Sequence, residues 1–251
     1  MIEISDDAGT RVLLFNRPAA RNAMNTALLE AFAEALADAA ADDAVEAVVV
    51  AGSGGAFSAG ADLREELDHA AAVRRIDLFC HVYEAVATYP KPTIAAIEGH
   101  CVGGGIEVAA ATDIRVADPT ASFRFPGATL GIAVGAAKLV GLVGLGTAKD
   151  LVLTSRTFGA EEAWRLGFVQ RLADPGMAVE KAREVADEIR ANNPNAVAFL
   201  RQQFLAFTGV ADRIAAENDV LHALAEAGGD YSAVTSPKSS SGRAPGMGSR
   251  R

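Results

Sequence analysis

Cysteine, tryptophan and clustered positive charge are all scarce in this chain. Only Cys80 and Cys101 stand among its 251 residues, too few for a disulfide framework and without metal-ligand spacing. A reduced, cytoplasmic setting fits them best. Lys and Arg number 23 against 32 Asp and Glu, giving a net charge of -9. Without the cation clusters that neutralise phosphates, no nucleic-acid partner is expected. Every rich apolar run is broken by Glu, Asp, Arg or several Gly, so no segment is expected to span a membrane. The opening Met-Ile-Glu-Ile-Ser-Asp-Asp has neither the basic nor the apolar part of a secretory leader. What is present is the composition of a globular protein, 50% hydrophobic and 22% charged. Its length suffices for a large domain with a core of its own.

Strand and helix signals interleave up to about residue 175. Residues 10–16 and 47–51 read as strands, the second a continuous apolar run suited to a sheet buried on both faces. Between them Leu28 or Leu29, Phe32 and Leu36 recur at helical spacing, behind Asn25 or Thr26 as N-cap. Segments 92–99, 113–117 and 121–125 also read as strands, which together imply an α/β core with parallel pairing through helical crossovers. After Pro175 the strand signals stop, and three amphipathic helices follow, marked by Ala182–Val185–Ile189, Val197–Leu200–Phe204 and Ile214–Leu221–Leu224. The expected division is therefore a core over 1–175, a helical module over 176–235 and a Ser/Gly/Pro-rich tail over 236–251. That tail carries four basic residues and no acid, and it reads as disordered.

Two glycine-rich segments follow buried strands. In 51–62, Phe57 stands where a dinucleotide fingerprint would need its third Gly, which argues against a nicotinamide enzyme. The second runs from Pro92 to Glu107 and contains Gly103-Gly104-Gly105. These glycines let a ligand approach the backbone, and an Ala-rich helix follows them directly. A helix N-terminus offers free N–H groups and the positive end of a dipole. Both segments can thus aim N–H groups at one oxygen, as an oxyanion hole requires. Glu107 falls in the first turn of that helix, where it reads either as a helix-start residue or as a proton-transfer group.

The chain resembles the enoyl-CoA hydratase/isomerase (crotonase) superfamily. Asn16-Arg17-Pro18 with Arg21-Asn22-Ala23-Met24 carries the likeness, as does Ala56-Phe57-Ser58-Ala59-Gly60-Ala61-Asp62-Leu63. Tyr89-Pro90-Lys91-Pro92, Gly103-Gly104-Gly105-Ile106-Glu107 and Phe158-Gly159-Ala160-Glu161 with Leu166-Gly167-Phe168-Val169 follow in the family's order. The resemblance implies a spiral of strand–strand–helix repeats with a C-terminal helical oligomerisation module that builds trimers or hexamers. It implies a CoA thioester as substrate and no separate cofactor or metal. The thioester oxygen would meet the N–H groups of Ala61 and Gly104, with Glu107 as acid–base residue. Ala23, Ala59, Gly60, Asp62, Arg64 and Gly103 would line the CoA and acyl site.

The family's hydratases use two glutamates, and the second is missing. Pro126-Gly127 stands where the family has Pro-Glu, and no Asp or Glu occurs between Asp118 and Asp150. Gly135 lies near the place of a further acid found in dienoyl-type relatives. His81, Cys80, Glu84, His69, Asp68 and His100 are the candidates to replace it. Gly127→Glu is expected to raise hydration if the side chain fits beside Pro126. Three readings stay open: a hydratase or isomerase, another enolate chemistry (decarboxylation, C–C cleavage or thioester hydrolysis), and a weakly catalytic acyl-CoA-binding protein.

Overall fold

The computed structural model describes residues 1–229, so the tail expected over 236–251 lies outside the described residues. In chain order the first half contains β1 (Ile2–Asp7), β2 (Thr10–Phe15), α1 (Thr26–Ala41), β3 (Ala47–Gly52), α2 (His69–Ala87), β4 (Thr93–Ile97), β5 (His100–Val102) and α3 (Gly104–Ala111). Then come β6 (Ile114–Ala117), β7 (Ser122–Arg124), α4 (Gly127–Leu130), α5 (Ala136–Val143), α6 (Leu145–Thr154), β8 (Phe158–Gly159), α7 (Ala160–Arg165) and β9 (Arg171–Leu172). Three long helices follow, α8 (Ala178–Arg190), α9 (Pro194–Thr208) and α10 (Val210–Glu226).

A six-stranded sheet runs in the order β1-β2-β3-β4-β6-β9, and a smaller one in the order β5-β7-β8. From β2 to β9 the large sheet is parallel. The chain visits the large sheet, then the small one, then a helix: β4, β5 and α3, then β6, β7 and α4. This is the strand–strand–helix spiral of the crotonase fold.

Why 47–51 is apolar throughout is visible in its two faces. Val48 and Val50 point into the main core with Phe15, Leu28, Phe32 and Ile97. Ala47, Val49 and Ala51 point the opposite way, onto Ala178, Ala182, Val185 and Ala186 of α8. Successive strand residues alternate faces, so a strand covered on both sides has no polar position left. At the start of α1 the Asn25 side chain accepts from the Leu28 N–H at 3.0 Å, which makes Asn25 the N-cap.

Strand β1 has no counterpart among the sequence expectations. Its residues, Ile-Glu-Ile-Ser-Asp-Asp, are almost all exposed, and their pattern carries no buried-strand signal. Pairing makes it a strand: it lies antiparallel along all of β2, from Ile2 opposite Phe15 to Asp7 opposite Thr10. Nor do the helices after Pro175 form a separate layer. α8 covers the outer face of the large sheet, α10 packs on α2 and α5, and α9 buries no side chain fully against the described residues.

Candidate active site

The first sequence motif builds a frame. Asn22 is fully buried, and its amide donates to the carbonyls of Ser53 at 2.9 Å and Ala56 at 2.6 Å. Its side-chain oxygen accepts from the Arg17 N–H at 2.8 Å. Arg17 in turn donates to the Ala23 carbonyl and lies 3.0 Å from the Asp62 carboxylate. The Ser58 hydroxyl donates to the Asn22 carbonyl at 2.8 Å and accepts from the Gly60 N–H at 3.1 Å. Residues far apart in sequence thus lock the 20–24 and 58–62 segments side by side.

That frame brings two unused backbone donors together. Met24 and Ala61 form a parallel bridge. It uses the N–H of Met24 to Gly60 O and the N–H of Asp62 to Met24 O, and leaves the N–H of Ala61 outside it. Gly104 is the first residue of α3, and a first-turn N–H has no acceptor within its own helix. Gly60 makes the approach possible. It adopts φ +87, and a Cβ there would lie 2.7 Å from Val102 O and 3.1 Å from Gly104 N.

Glu107 lies one turn into α3, fully buried, on the wall of a cavity of about 270 Å³. Ala61, Gly103 and Gly104 line the same cavity. The rest of its wall is largely apolar and includes Leu63, Ile76, Phe79, Leu130, Ile132 and Val134. Burial pushes the Glu107 carboxyl up to about 7, against the pull of Lys138 and with the help of Glu217. The Lys138 ammonium lies 2.8 Å from Glu107 Oε2 and 3.0 Å from Glu217 Oε1. Tyr83 faces the cavity beside them, and its ring lies 4.8 Å from the Lys138 nitrogen. Burial and the nearby Glu107 raise the Tyr83 phenol well above its ordinary range, so it stays a neutral O–H.

A second cavity of about 400 Å³ opens next to the first and shares Ala59, Ala61 and Leu63 with it. Ala23, Asp62, Arg64 and Arg21 line this outer chamber. The residues expected at the site therefore fall into an inner group, Gly103, Gly104 and Glu107, and an outer group, Ala23, Asp62 and Arg64, with Ala59 and Ala61 in both. Gly60 lines neither chamber and supports their join. Asp62 turns its carboxylate to Arg17 and to the Arg64 N–H. These contacts outweigh its partial desolvation and hold its carboxyl below the usual range. The Arg64 side chain is 78% exposed and 3.9 Å from Asp62, so it is available at the chamber's rim.

The proposed substitutes for the missing glutamate do not reach the cavity. His69, Asp68, His81, Glu84 and His100 are exposed, Cys80 is half-buried, and none of them lines either chamber. On α2 the buried face runs through Phe79, Val82, Tyr83 and Val86, which turns His81 and Glu84 outward. Gly127 does line the cavity, yet a Cβ there would sit 2.5 Å from Ile132 O. Its carbonyl also accepts from the Ile132 N–H at 2.8 Å. A glutamate at 127 does not fit without moving that turn, which corrects the expectation for Gly127→Glu. At Gly135, with φ +108, a Cβ would lie 2.9 Å from Glu107 Oε1. The place of that further acid is thus beside Glu107 itself.

Lys138 and Glu217 were not legible as site residues. The one available signal was that Lys138 is the only charged residue between Arg124 and Lys149, inside an apolar stretch that a fold would bury. Glu217 stands among other charges on α10 and gave none.

Known proteins agree with this architecture. The family model for enoyl-CoA hydratase/isomerase matches residues 6–227. A short-chain-enoyl-CoA hydratase of Clostridium acetobutylicum is 36% identical over 197 residues, covering 76% of each chain. The 2,3-dehydroadipyl-CoA hydratase of Escherichia coli is 34% identical over 207 residues, 80% of this chain and 81% of that protein. The crystal structure of an enoyl-CoA hydratase/isomerase from Xanthobacter autotrophicus Py2 superposes with a TM-score of 0.82 at 28% identity, over 90% of this chain and 87% of the other. A match that begins in β1 and ends just beyond α10 leaves no part of the described core outside it, and the chain belongs to the enoyl-CoA hydratase/isomerase family of acyl-CoA enzymes.

Proposed function

We propose that the protein binds an enoyl-CoA with an apolar acyl group and moves a proton at its thioester enolate, with Glu107 as the acid–base residue. The observation that carries this reading is one buried carboxylate on the same cavity wall as Gly104 and Ala61, whose N–H groups are unused. Those two donors would hold the thioester oxygen and stabilise the negative charge that develops there. Glu107 would take a proton from carbon or from water, and return it to the carbon chain. In isomerisation the same proton returns at another carbon, and the double bond moves. In hydration water gives its proton to Glu107 while hydroxide adds at the β-carbon, and the enolate then recovers that proton at the α-carbon. The outer chamber, with Ala23 and Ala59 on its wall and Arg21 and Arg64 at its edge, would take the nucleotide end of CoA. CoA enters as part of the substrate, and the reading calls for no cofactor or metal.

With one carboxylate, hydration is expected to be slower than in a two-glutamate enzyme, because a single group must serve water and carbon in turn. Incubation with crotonyl-CoA and with a long enoyl-CoA, with each product identified, tests this. Shifted or hydrated enoyl-CoA supports the reading. Release of free CoA or CO₂ would transfer it to another enolate chemistry, and binding without turnover would leave an acyl-CoA-binding protein.

The reaction needs Glu107 as a carboxylate, so kcat/KM should rise with pH through a limb near 7, where burial has placed its ionisation. A profile flat between about pH 5 and 8, the span in which a group near 7 changes charge, would contradict that assignment.

The reading extends to assembly as a homotrimer, or a pair of trimers, through α9. Phe199, Leu200, Phe204 and Phe207 on that helix are 61%, 49%, 63% and 79% exposed, an apolar face that water disfavours. Light scattering should return three or six chain masses. A monomer at working concentration would refute it. No helix among the described residues is long and apolar enough to cross a membrane. A cytoplasmic setting is part of the proposal, resting on the two free cysteines.

A further inference from the structure

Behind Glu107 lies a charged pair that the proton-transfer reading does not use. Lys138, on α5, has 1% of its side chain exposed and Glu217, on α10, has 9%. Neither lines the acyl chamber. Largely buried charges of this kind are costly unless each is paired, and here the pairing converges on Glu107. Glu217 is itself pinned: its Oε2 accepts from the Ala137 N–H at 3.0 Å, in the first turn of α5, while its Oε1 meets Lys138 at 3.0 Å. A carboxylate at a helix N-terminus is favourably placed, so Glu217 fixes both the start of α5 and the ammonium that α5 carries. The Lys138 nitrogen is further confined over the Tyr83 ring.

We propose that Lys138 and Glu217 are positioning residues for Glu107: the ammonium orients its carboxylate and keeps it charged, and Glu217 anchors that ammonium while tempering its pull. The proposal rests on Glu107 being the acid–base residue. The groups facing it from each neighbouring element are Lys138 from α5, Glu217 from α10, Tyr83 from α2 and Cys101 from β5, with Cys80 of α2 beside Lys138 and Glu217. Burial raises the Tyr83 phenol and the Cys101 thiol well above their ordinary ranges and pushes Cys80 to about 12. All three are neutral at physiological pH. The cluster therefore holds two carboxylates and one ammonium, and its charges oppose one another in a known sense.

The two partners should move the pH profile in opposite directions. Glu217→Gln keeps an oxygen for the Ala137 N–H and removes a like charge, so the rising limb of kcat/KM should shift down by about half a pH unit or more. Lys138→Met removes the one cation, and the limb should shift up by about one unit or more. Acyl-CoA affinity should change little in either variant. Should Lys138→Met fail to fold, the sign and size of the Glu217→Gln shift decide alone. An unmoved limb in Glu217→Gln, or shifts of the same sign in both variants, would overturn the proposal. Turnover of Glu107→Gln separates the two levels. Full activity there defeats the Glu107 reading itself, while an inactive Glu107→Gln beside an unmoved Glu217→Gln limb defeats the positioning role alone.

Discussion

Glu107→Gln is expected to lower enoyl-CoA turnover by about 10²–10⁴-fold, the worth of one positioned acid–base group, with acyl-CoA affinity nearly unchanged. The amide has the shape of the carboxylate it replaces, but it cannot accept and return a proton. Residual catalysis should come from the Ala61 and Gly104 N–H groups, which the substitution leaves in place. Folding should survive, because Lys138 keeps Glu217 at 3.0 Å and the amide oxygen can still face the ammonium. Steady-state kinetics with calorimetric titration of an acyl-CoA separates the two effects. A fall in affinity equal to the fall in turnover would make Glu107 a binding group.

Arg115→Met is expected to cost about 2–4 kcal/mol of folding stability, for lost charge-assisted hydrogen bonds and a carbonyl left without a donor. Arg115 lies in β6, 1% exposed. Its guanidinium donates to Phe168 O at 2.6 Å, Thr112 O at 2.7 Å and Ala109 O at 3.3 Å. Burial lowers its pKa to about 10, with Asp113 opposing the fall, so it remains charged at neutral pH. Met fills a similar volume and relieves the buried charge. Ala109 O would keep the Thr112 hydroxyl and Phe168 O the Gln170 amide, leaving Thr112 O as the bare acceptor. Ala109 lies in the last turn of α3 and Thr112 caps it, and the first turn of that helix presents Gly104 and Glu107. Lost anchorage there should reach the site, and kcat should fall with stability. Urea denaturation measures the first effect, and a loss below about 1 kcal/mol would show that the guanidinium is not what secures the helix.

Which parts of this molecule could be read from residues alone follows from how local their signals are. The apolar run of β3 announces a strand covered on both faces, and Asn25 announces the start of α1, because each signal lies within a few residues. Glu107 was placed by position in the first turn of a helix after three glycines, and the structure puts it there. Strand β1 is not legible in its own residues, because an exposed edge strand takes its conformation from its partner and not from its own pattern. The substitutes sought on α2 failed for a related reason. Position on the helix before Tyr89 makes His81 and Glu84 candidates, whereas helical phase turns them to solvent and turns Tyr83 inward. Lys138 and Glu217 meet across 79 positions of sequence, and no local pattern encodes that encounter.

The account stands on Glu107 forming a thioester enolate, and exchange of the α-protons of butyryl-CoA in D₂O isolates that step. A saturated thioester can be neither hydrated nor isomerised, so any deuterium gained at the α-carbon reports proton removal and return alone. At a pH above the limb near 7, the account predicts α-deuteration with the native protein and its loss with Glu107→Gln. Absence of exchange in the native protein, or equal exchange in the variant, would contradict it.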